Sequence, residues 1–208
     1  MELVIASKNI HKIREFRSML KGIPNLDLFS LLDFPSYVPP LEAGSTFEEN
    51  AIQKALDAAK ALNKVVLADD SGLVVPALFG RPGVFSSRFA GEDASDRENR
   101  QKLLCEMVPL KENQRSAFFE CCIALAGPEG LKRAVHGLCE GAVLTEERGN
   151  QGFGYDPLFV KYDYSKSFAE MNEETKNRIS HRRKALDKLL PLIIALAEKE
   201  IPSPKIQS

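Results

Sequence analysis

The sequence lacks any apolar run long enough to cross a membrane. A spanning helix needs about 20 consecutive apolar residues, whereas the most apolar segment, residues 189–197, is short and contains Pro191. The N-terminus carries the acidic Glu2 and no basic-then-apolar leader, which predicts that no signal peptide is present. We therefore expect no membrane partner.

Cysteine is scarce, and its arrangement excludes the usual zinc motifs. The four cysteines show no CxxC spacing. Cys121 and Cys122 are adjacent in an apolar run, so on a strand they would point to opposite faces. We interpret the cysteines as buried free thiols, with a metal site or a catalytic thiol as the alternative. This usage predicts a reducing compartment, the cytoplasm.

An excess of positive charge is also missing. The 28 Lys and Arg residues are balanced by 29 Asp and Glu residues, and the net charge is -1. Proteins that bind nucleic-acid polymers electrostatically usually carry a basic excess. The one basic run, residues 176–184, follows Glu173 and Glu174. We therefore expect no nucleic-acid polymer as a partner.

What is present is a globular α/β pattern in a chain of 208 residues. Strands and helices that do not strictly alternate predict an α/β fold with a mixed sheet. Apolar runs predict strands at residues 3–6, 26–32, 65–68, 116–126 and 134–145, and helical spacing predicts helices at 10–20, 46–62, 95–108 and most of 173–199.

Polar residues stand between the first strand and the first helix. Helix N-termini present unpaired N–H groups and a positive dipole end, so they favour anions. The segment from Ser7 to Lys12 therefore predicts a phosphate cradle, with Lys12 reaching back from the first turn. Alternatively, Ser7 or Asn9 only caps the helix and Lys12 is solvated.

Acidic residues provide candidate metal ligands. The strand at 65–68 is predicted to end abruptly at Asp69-Asp70, and two carboxylates at a strand tip repel each other unless a cation such as Mg²⁺ relieves them. The alternative is a polar turn. Glu42, in an irregular loop, is either a ligand or a solvated charge, and Lys54 is either a phosphate contact or a surface charge.

Two motifs in the C-terminal half suggest recognition of a base. Glycines around Phe153 and Tyr155 let the backbone approach a flat ligand and let a ring stack on it, and Asp156 can accept a hydrogen bond from a base N–H. The alternative is a tight turn that covers the core. His181 and Arg182 stand in the first turn of a helix, where positive charge opposes the dipole, so a phosphate or a purine acceptor nearby would compensate.

Six motifs in this order resemble the Ham1/RdgB/ITPase family. Its members hydrolyse noncanonical purine nucleoside triphosphates, in inosine and xanthosine forms, to the monophosphate and pyrophosphate. The motifs are Ser7, Asn9 and Lys12; residues 42–51 with Lys54; 68–73; 82–88; 152–157; and Lys176, Ser180, His181 and Arg182.

The resemblance implies a role for each matching residue. Asp70 is implied as the proton acceptor and, together with Glu42, as a ligand of Mg²⁺. Contacts to phosphate or sugar are implied for Ser7, Lys8, Asn9, Ile10, His11, Lys12, Lys54 and Ser71, and contacts around the base for Phe153, Gly154, Tyr155, Asp156, Lys176, His181 and Arg182.

The resemblance also implies an architecture and an assembly. The implied fold is an elongated, two-lobed α/β structure with a long mixed β-sheet, flanking helices and a central nucleotide-binding cleft. Residues 1–200 would form this single domain, 201–208 would be a flexible tail, and the protein would be a homodimer. Two alternatives stay open, a Maf-like pyrophosphatase acting on pyrimidine or modified nucleotides and a nucleotide-binding sensor without catalysis.

Overall fold

A computed structural model of the protein describes residues 1–199, and the tail predicted at 201–208 lies outside the described residues. The α/β prediction is confirmed. Helices flank one six-stranded sheet, and none of the helices in the described range is long and apolar enough to span a membrane. The strands are β1 (Glu2–Ile5), β2 (Asp27–Ser30), β3 (Val65–Val74), β4 (Ser116–Gly127), β5 (Gly130–Val143) and β6 (Phe159–Lys161). The α-helices are α1 (Ile10–Leu20), α2 (Phe47–Leu62), α3 (Asp96–Met107), α4 (Glu173–Ile179) and α5 (His181–Lys199).

The sheet is mixed, with strand order β2-β1-β3-β4-β5-β6. β1 pairs in parallel with both β2 and β3, because α1 and α2 carry the chain back across the sheet between these strands. The remaining pairs are antiparallel. β4 and β5 form a long hairpin through Gly127 and Gly130, which joins the strands predicted at 116–126 and 134–145.

Local sequence signals explain where the helices begin. The side chains of Asn9, Thr46 and Ser95 accept hydrogen bonds from N–H groups in the first turns of α1, α2 and α3. Ser180 separates α4 from α5, so the stretch predicted to be mainly helical at 173–199 is two helices. The strand predicted at 26–32 is shorter, because Leu31–Asp33 forms a 3₁₀ turn.

β3 corrects the prediction for the acidic pair. The strand does not end at residue 68, and Asp69 and Asp70 lie inside it, so the polar turn is also wrong. The physical reason is the pairing with β4, which continues past Asp69↔Ile123 and Asp70↔Cys122 as far as Val74↔Phe118. The strand that does stop here is β1, whose pairing with β3 ends at Ile5↔Leu67.

Apolar clusters cover both faces of the sheet. One cluster joins α1 and α5 to the face that carries Leu67 and Cys121, and another joins α2 to the face that carries Ala68 and Cys122. The predicted opposite orientation of Cys121 and Cys122 is therefore confirmed. All four cysteines are free thiols, but the predicted burial is wrong for Cys105, which is exposed. A third cluster, around Phe119 and Phe159, packs α3 against the far ends of β3, β4 and β5.

Candidate active site

The candidate site is a cleft beside the point where β1 stops and β3 continues. Its volume is about 350 Å³, within the range of roughly 300–1,000 Å³ that small-molecule sites occupy. It brings together most of the residues that the resemblance implied, namely Ser7, Lys8, Asn9, Lys12, Glu42, Lys54, Asp70, Ser71, Phe153, Gly154, Tyr155, Asp156, Lys176, His181 and Arg182. Two implied residues do not line the wall: Ile10 is exposed, and His11 stacks on Phe153 with 5.2 Å between ring centroids.

The turn after β1 is organised by Asn9. Its Oδ1 accepts hydrogen bonds from the N–H groups of His11 (2.9 Å) and Lys12 (3.3 Å), and Ser7 Oγ accepts one from Asn9 N–H (3.1 Å). The capping alternative is therefore correct for Asn9. Lys12 is not simply solvated, because its Nζ lies 3.1 Å from Asp69 Oδ2. Because the N–H groups of His11 and Lys12 are already paired with Asn9, the positive charge at this turn comes mainly from the Lys12 side chain.

On the α2 side of the sheet, Lys54 joins the two carboxylates predicted as metal ligands. Lys54 Nζ lies 2.7 Å from Glu42 Oε1 and 3.2 Å from Asp70 Oδ1. Asn50, one turn earlier on α2, donates from Nδ2 to Asp70 Oδ2 at 3.0 Å. One helix therefore orients Asp70 from two directions.

The carboxylates of this group differ in their affinity for a proton. Burial raises the pKa of Asp70, and the charge of Glu42 adds to this effect, although Lys54 and Lys12 oppose it. Burial also acts to raise the pKa of Glu42, but Lys54, Lys12 and Arg88 together outweigh it and the pKa falls below the usual value. Asp70 is therefore the better proton acceptor of the two.

Asp69 points to the other face of β3, toward α1 and α5. Its Oδ2 accepts a hydrogen bond from Arg182 Nη2 at 3.0 Å. Arg182 also pairs with Glu15 on α1, and Glu15 Oε1 lies 2.8 Å from Lys176 Nζ. The result is a buried chain of alternating charges, Lys12–Asp69–Arg182–Glu15–Lys176–Asp156.

This chain corrects two expectations. Asp69 and Asp70 do not face one shared cation, because neighbours in a strand point to opposite faces. The anion expected near Arg182 is supplied within the protein, since Asp69 and Glu15 occupy its guanidinium and Ser71 Oγ accepts a further bond at 2.9 Å. Burial opposes ionisation of Asp69, but Lys12 and Arg182 hold its pKa well below the usual range.

The loop that contains Phe153 is also held from within. Asp156 Oδ2 accepts hydrogen bonds from Phe153 N–H (2.9 Å) and from Lys176 Nζ (2.5 Å). Lys176 lies 4.7 Å from the centre of the Phe153 ring, a cation–π distance. A Cβ at Gly152, whose φ is +72°, would lie 2.1 Å from Asp156 Oδ2, so only glycine fits there. Asp156 thus supports the loop in addition to any contact with a base.

His181 lines the cleft and is buried. Its ring stacks on Phe119 with a centroid distance of 4.8 Å, and its buried Nδ1 has no hydrogen-bond partner among residues 1–199. Burial, together with Arg182 and Lys176, lowers the pKa of His181 well below 6.5, so the imidazole is neutral at physiological pH. A buried polar atom without a partner is costly unless a ligand pairs with it.

Several residues of the site gave no signal in the sequence. Glu15 is buried in α1 although an acidic residue in an amphipathic helix usually faces water, and Asn50 is buried in α2. Tyr37 lines the cleft and donates from its hydroxyl to Asp57 Oδ1 at 2.6 Å, which ties the loop before α2 to that helix. The carboxylate of Asp96, on α3, also lines the cleft.

The acidic residues fit a hard divalent cation. Glu42 and Asp70 both contact the single cationic Nζ of Lys54, so their oxygens converge on one region. No group of three or more His, Cys, Asp or Glu side chains suited to a metal occurs in the described part of the chain. Mg²⁺ fits this donor set, because proteins usually bind it through one or two carboxylates plus substrate phosphates and water.

This chain is similar to curated proteins of two bacteria. A protein of Protochlamydia amoebophila named dITP/XTP pyrophosphatase is 58% identical over 190 residues, which cover 91% of this chain and 96% of that protein. A protein of Chlamydia abortus with the same name is 53% identical over 204 residues, which cover 98% of this chain and 99% of its own length.

Solved structures and a family model agree with these relatives. The HAM1 protein of Coxiella burnetii has a TM-score of 0.84 and 41% identity, and the match covers 94% of this chain and 99% of that one. The Ham1 protein of Staphylococcus aureus has a TM-score of 0.80 and 42% identity over 96% of this chain and 100% of its own. The model of the Ham1 family matches residues 3–192. The chain therefore belongs to the Ham1 family.

Proposed function

We propose that this chain is a nucleoside triphosphate pyrophosphatase that removes ITP, dITP and XTP from the nucleotide pool. It hydrolyses them to the nucleoside monophosphate and pyrophosphate. The observation that carries the proposal is one cleft whose wall contains a buried carboxylate among lysines, at Asp70, together with the aromatic ring of Phe153 and the neutral imidazole of His181. The names of the chlamydial relatives support it.

Asp70 is the proposed proton acceptor. Burial raises its pKa and makes it a stronger base than an exposed aspartate, and the bond from Asn50 fixes its orientation. It accepts a proton from the water that attacks the α-phosphorus in line with the leaving pyrophosphate. One O–P bond forms, the α–β anhydride bond breaks, and no covalent enzyme intermediate is required.

Lysines provide the positive charge for the polyphosphate. Lys12 and Lys54 are held at the cleft by Asp69, Glu42 and Asp70. Fixed cations of this kind stabilise the charge that develops on the leaving group. When bound, Mg²⁺ held by Glu42 and Asp70 would supply Lewis-acid polarisation of the phosphate oxygens.

His181 and Phe153 are proposed to select the base. Inosine and xanthosine carry a keto oxygen at C6, which accepts a hydrogen bond, whereas adenosine carries an amino group, which donates one. Neutral His181 carries one ring N–H, which donates to the keto oxygen and leaves adenosine without a partner. Guanosine shares the keto oxygen, so its rejection must occur at the 2-amino group.

A nucleotide panel with Mg²⁺ tests the function. We expect pyrophosphate, and not inorganic phosphate, from ITP, dITP and XTP, at kcat/KM values about a hundredfold or more above those for ATP and GTP. Equal rates for all purines would contradict the selectivity, and a preference for pyrimidine nucleotides would favour a Maf-like enzyme. Binding of ITP without product would indicate a sensor.

We also propose that the protein is a cytoplasmic homodimer. The family resemblance supports the dimer, and the four free thiols and a substrate drawn from the nucleotide pool support the location. Sedimentation analysis at micromolar concentration would show a mass twice that of the chain. A monomer with full activity would contradict the proposed assembly.

A further inference from the structure

Two side chains of α3 hold both polar backbone atoms of Gly154. Asp96 Oδ2 accepts a hydrogen bond from Gly154 N–H at 2.7 Å, and Arg100 Nη1 donates to Gly154 O at 2.9 Å. Asp96 and Arg100 are four residues apart, so they lie on one face of the helix. Arg100 is held in turn by Glu147, whose Oε1 lies 3.0 Å from its Nε.

The helix that carries this pair is itself fixed at both ends. Ser95 and Glu98 form a capping box at its N-terminus, and Leu103 and Met107 are fully buried near its C-terminus. Between them, the buried Asn99 accepts from Ala90 N–H at 2.7 Å and donates to Ser87 O at 3.0 Å. The two side chains therefore project from a rigid support.

Gly154 lies between two aromatic residues, Phe153 and Tyr155, in the loop of residues 152–157. Its φ of +59° is in the left-handed region, which few residues other than glycine adopt readily. Phe153 precedes it with its ring in the cleft, and the buried Tyr155 follows it and donates from its hydroxyl to Ser86 O at 2.9 Å. Fixing the peptide groups of Gly154 therefore fixes the backbone from which the Phe153 side chain projects.

We propose that Asp96 and Arg100 are positioning residues that determine base specificity, because they set where Phe153 stands in the cleft that His181 also lines. The inference rests on the proposed function. It also removes the Gly154 N–H from the donors that can read the base, since that N–H is already paired with Asp96. Loss of Asp96 frees that N–H, which then offers a donor to any purine with an acceptor.

Asp96→Ala and Arg100→Ala test the positioning role, because each removes one hydrogen bond to Gly154. Asp96→Asn provides a rescue, because its amide oxygen can still accept a hydrogen bond from Gly154 N–H. We expect each alanine variant to raise the KM for ITP about tenfold, to lower the ITP-to-GTP ratio of kcat/KM about tenfold, and to change kcat at saturation less than about threefold. Asp96→Asn should restore most of both values. Arg97→Ala is the matched control, because Arg97 is exposed on the same turn.

The outcomes separate this inference from the function on which it rests. If both alanine variants keep the wild-type KM for ITP and the wild-type ITP-to-GTP ratio of kcat/KM, and the wild type is active, only the proposed role of Asp96 and Arg100 is overturned. An equal loss of kcat on every nucleotide, together with a lower Tm, would show a structural role and would also overturn it. A wild type that releases no pyrophosphate from any purine would overturn the proposed function and the inference with it.

Discussion

Asp69 and Asp70 are neighbours in β3, yet they form ion pairs with cationic side chains on opposite faces of the sheet. Asp69 Oδ2 lies 3.0 Å from Arg182 Nη2, and Asp70 Oδ1 lies 3.2 Å from Lys54 Nζ. Burial raises the pKa of Asp70, whereas the pKa of Asp69 is held low by Lys12 and Arg182 in spite of its burial. Substituting the two residues should therefore separate catalysis from stability.

Asp70→Asn should abolish turnover without destabilising the fold. Loss of the proton acceptor should lower kcat by at least about a hundredfold, measured as pyrophosphate released from ITP. Because the folded-state pKa of Asp70 is raised, its ionised form costs stability at neutral pH, so the variant should have an equal or higher Tm at pH 7. That gain should vanish as the pH falls below about 4, where both states bind the proton. Near-normal turnover at saturating Mg²⁺ would contradict the assigned role.

Asp69→Asn should instead destabilise the protein. The change leaves Arg182 and Lys12 with one carboxylate fewer in a buried site, which costs about 3 kcal/mol of unfolding free energy in urea denaturation at pH 7. The lowered pKa of Asp69 means that its contribution is fully present above the unfolded-state pKa of about 4 and is lost progressively as the pH falls from there through the depressed folded-state pKa, so the two proteins should converge only in strong acid. The control is Asp187→Asn, which removes an exposed ion pair with Arg183 and should cost less than about 1 kcal/mol.

The extent of β3 could not be predicted from neighbouring residues alone, because the strand continues beyond residue 68 to Val74. The run from Asp69 to Gly72 has the polar composition of a turn, and the apolar signal of the strand does pause at Asp69. What keeps the chain extended is β4, whose residues Glu120 to Ile123 provide the backbone partners from about 50 positions further along. The start of this strand and the positions of the helices depend on near neighbours, and these were predictable.

Glu15 shows the same limit within the site. Its helix was predicted correctly. Of the apolar residues at helical spacing, Ile13, Phe16, Met19 and Leu20 are buried, whereas Ile10 is exposed. Glu15 is buried only because Arg182 and Lys176 reach it from the C-terminal helices. No periodicity in α1 can reveal a partner that distant, so the motifs located the cleft but not the charge network beneath it.

Glu42→Gln should weaken the response to Mg²⁺. An amide is a poorer ligand than a carboxylate for a hard cation, so half-saturation should require about tenfold more Mg²⁺, equivalent to about 1.4 kcal/mol. The kcat at saturating Mg²⁺ should largely recover, because Asp70 remains. Glu48→Gln, in the exposed first turn of α2, is the control. An unchanged Mg²⁺ titration for Glu42→Gln would exclude Glu42 as a ligand.

Gly137→Ala should disturb His181 and Arg182, two residues proposed to bind the base, although Gly137 itself does not line the cleft. Gly137 lies in β5, and a Cβ there would approach the α5 backbone to 2.2 Å at His181 O and 2.4 Å at Ala185 N. Backbone atoms cannot rotate away, so the start of α5 must shift, at a cost of about 1–3 kcal/mol in unfolding free energy. The shift moves His181 and Arg182 together, so the KM for ITP should rise while Leu138→Ala, at an exposed neighbour, leaves it unchanged. Lower stability with a normal KM would show that α5 does not position the base.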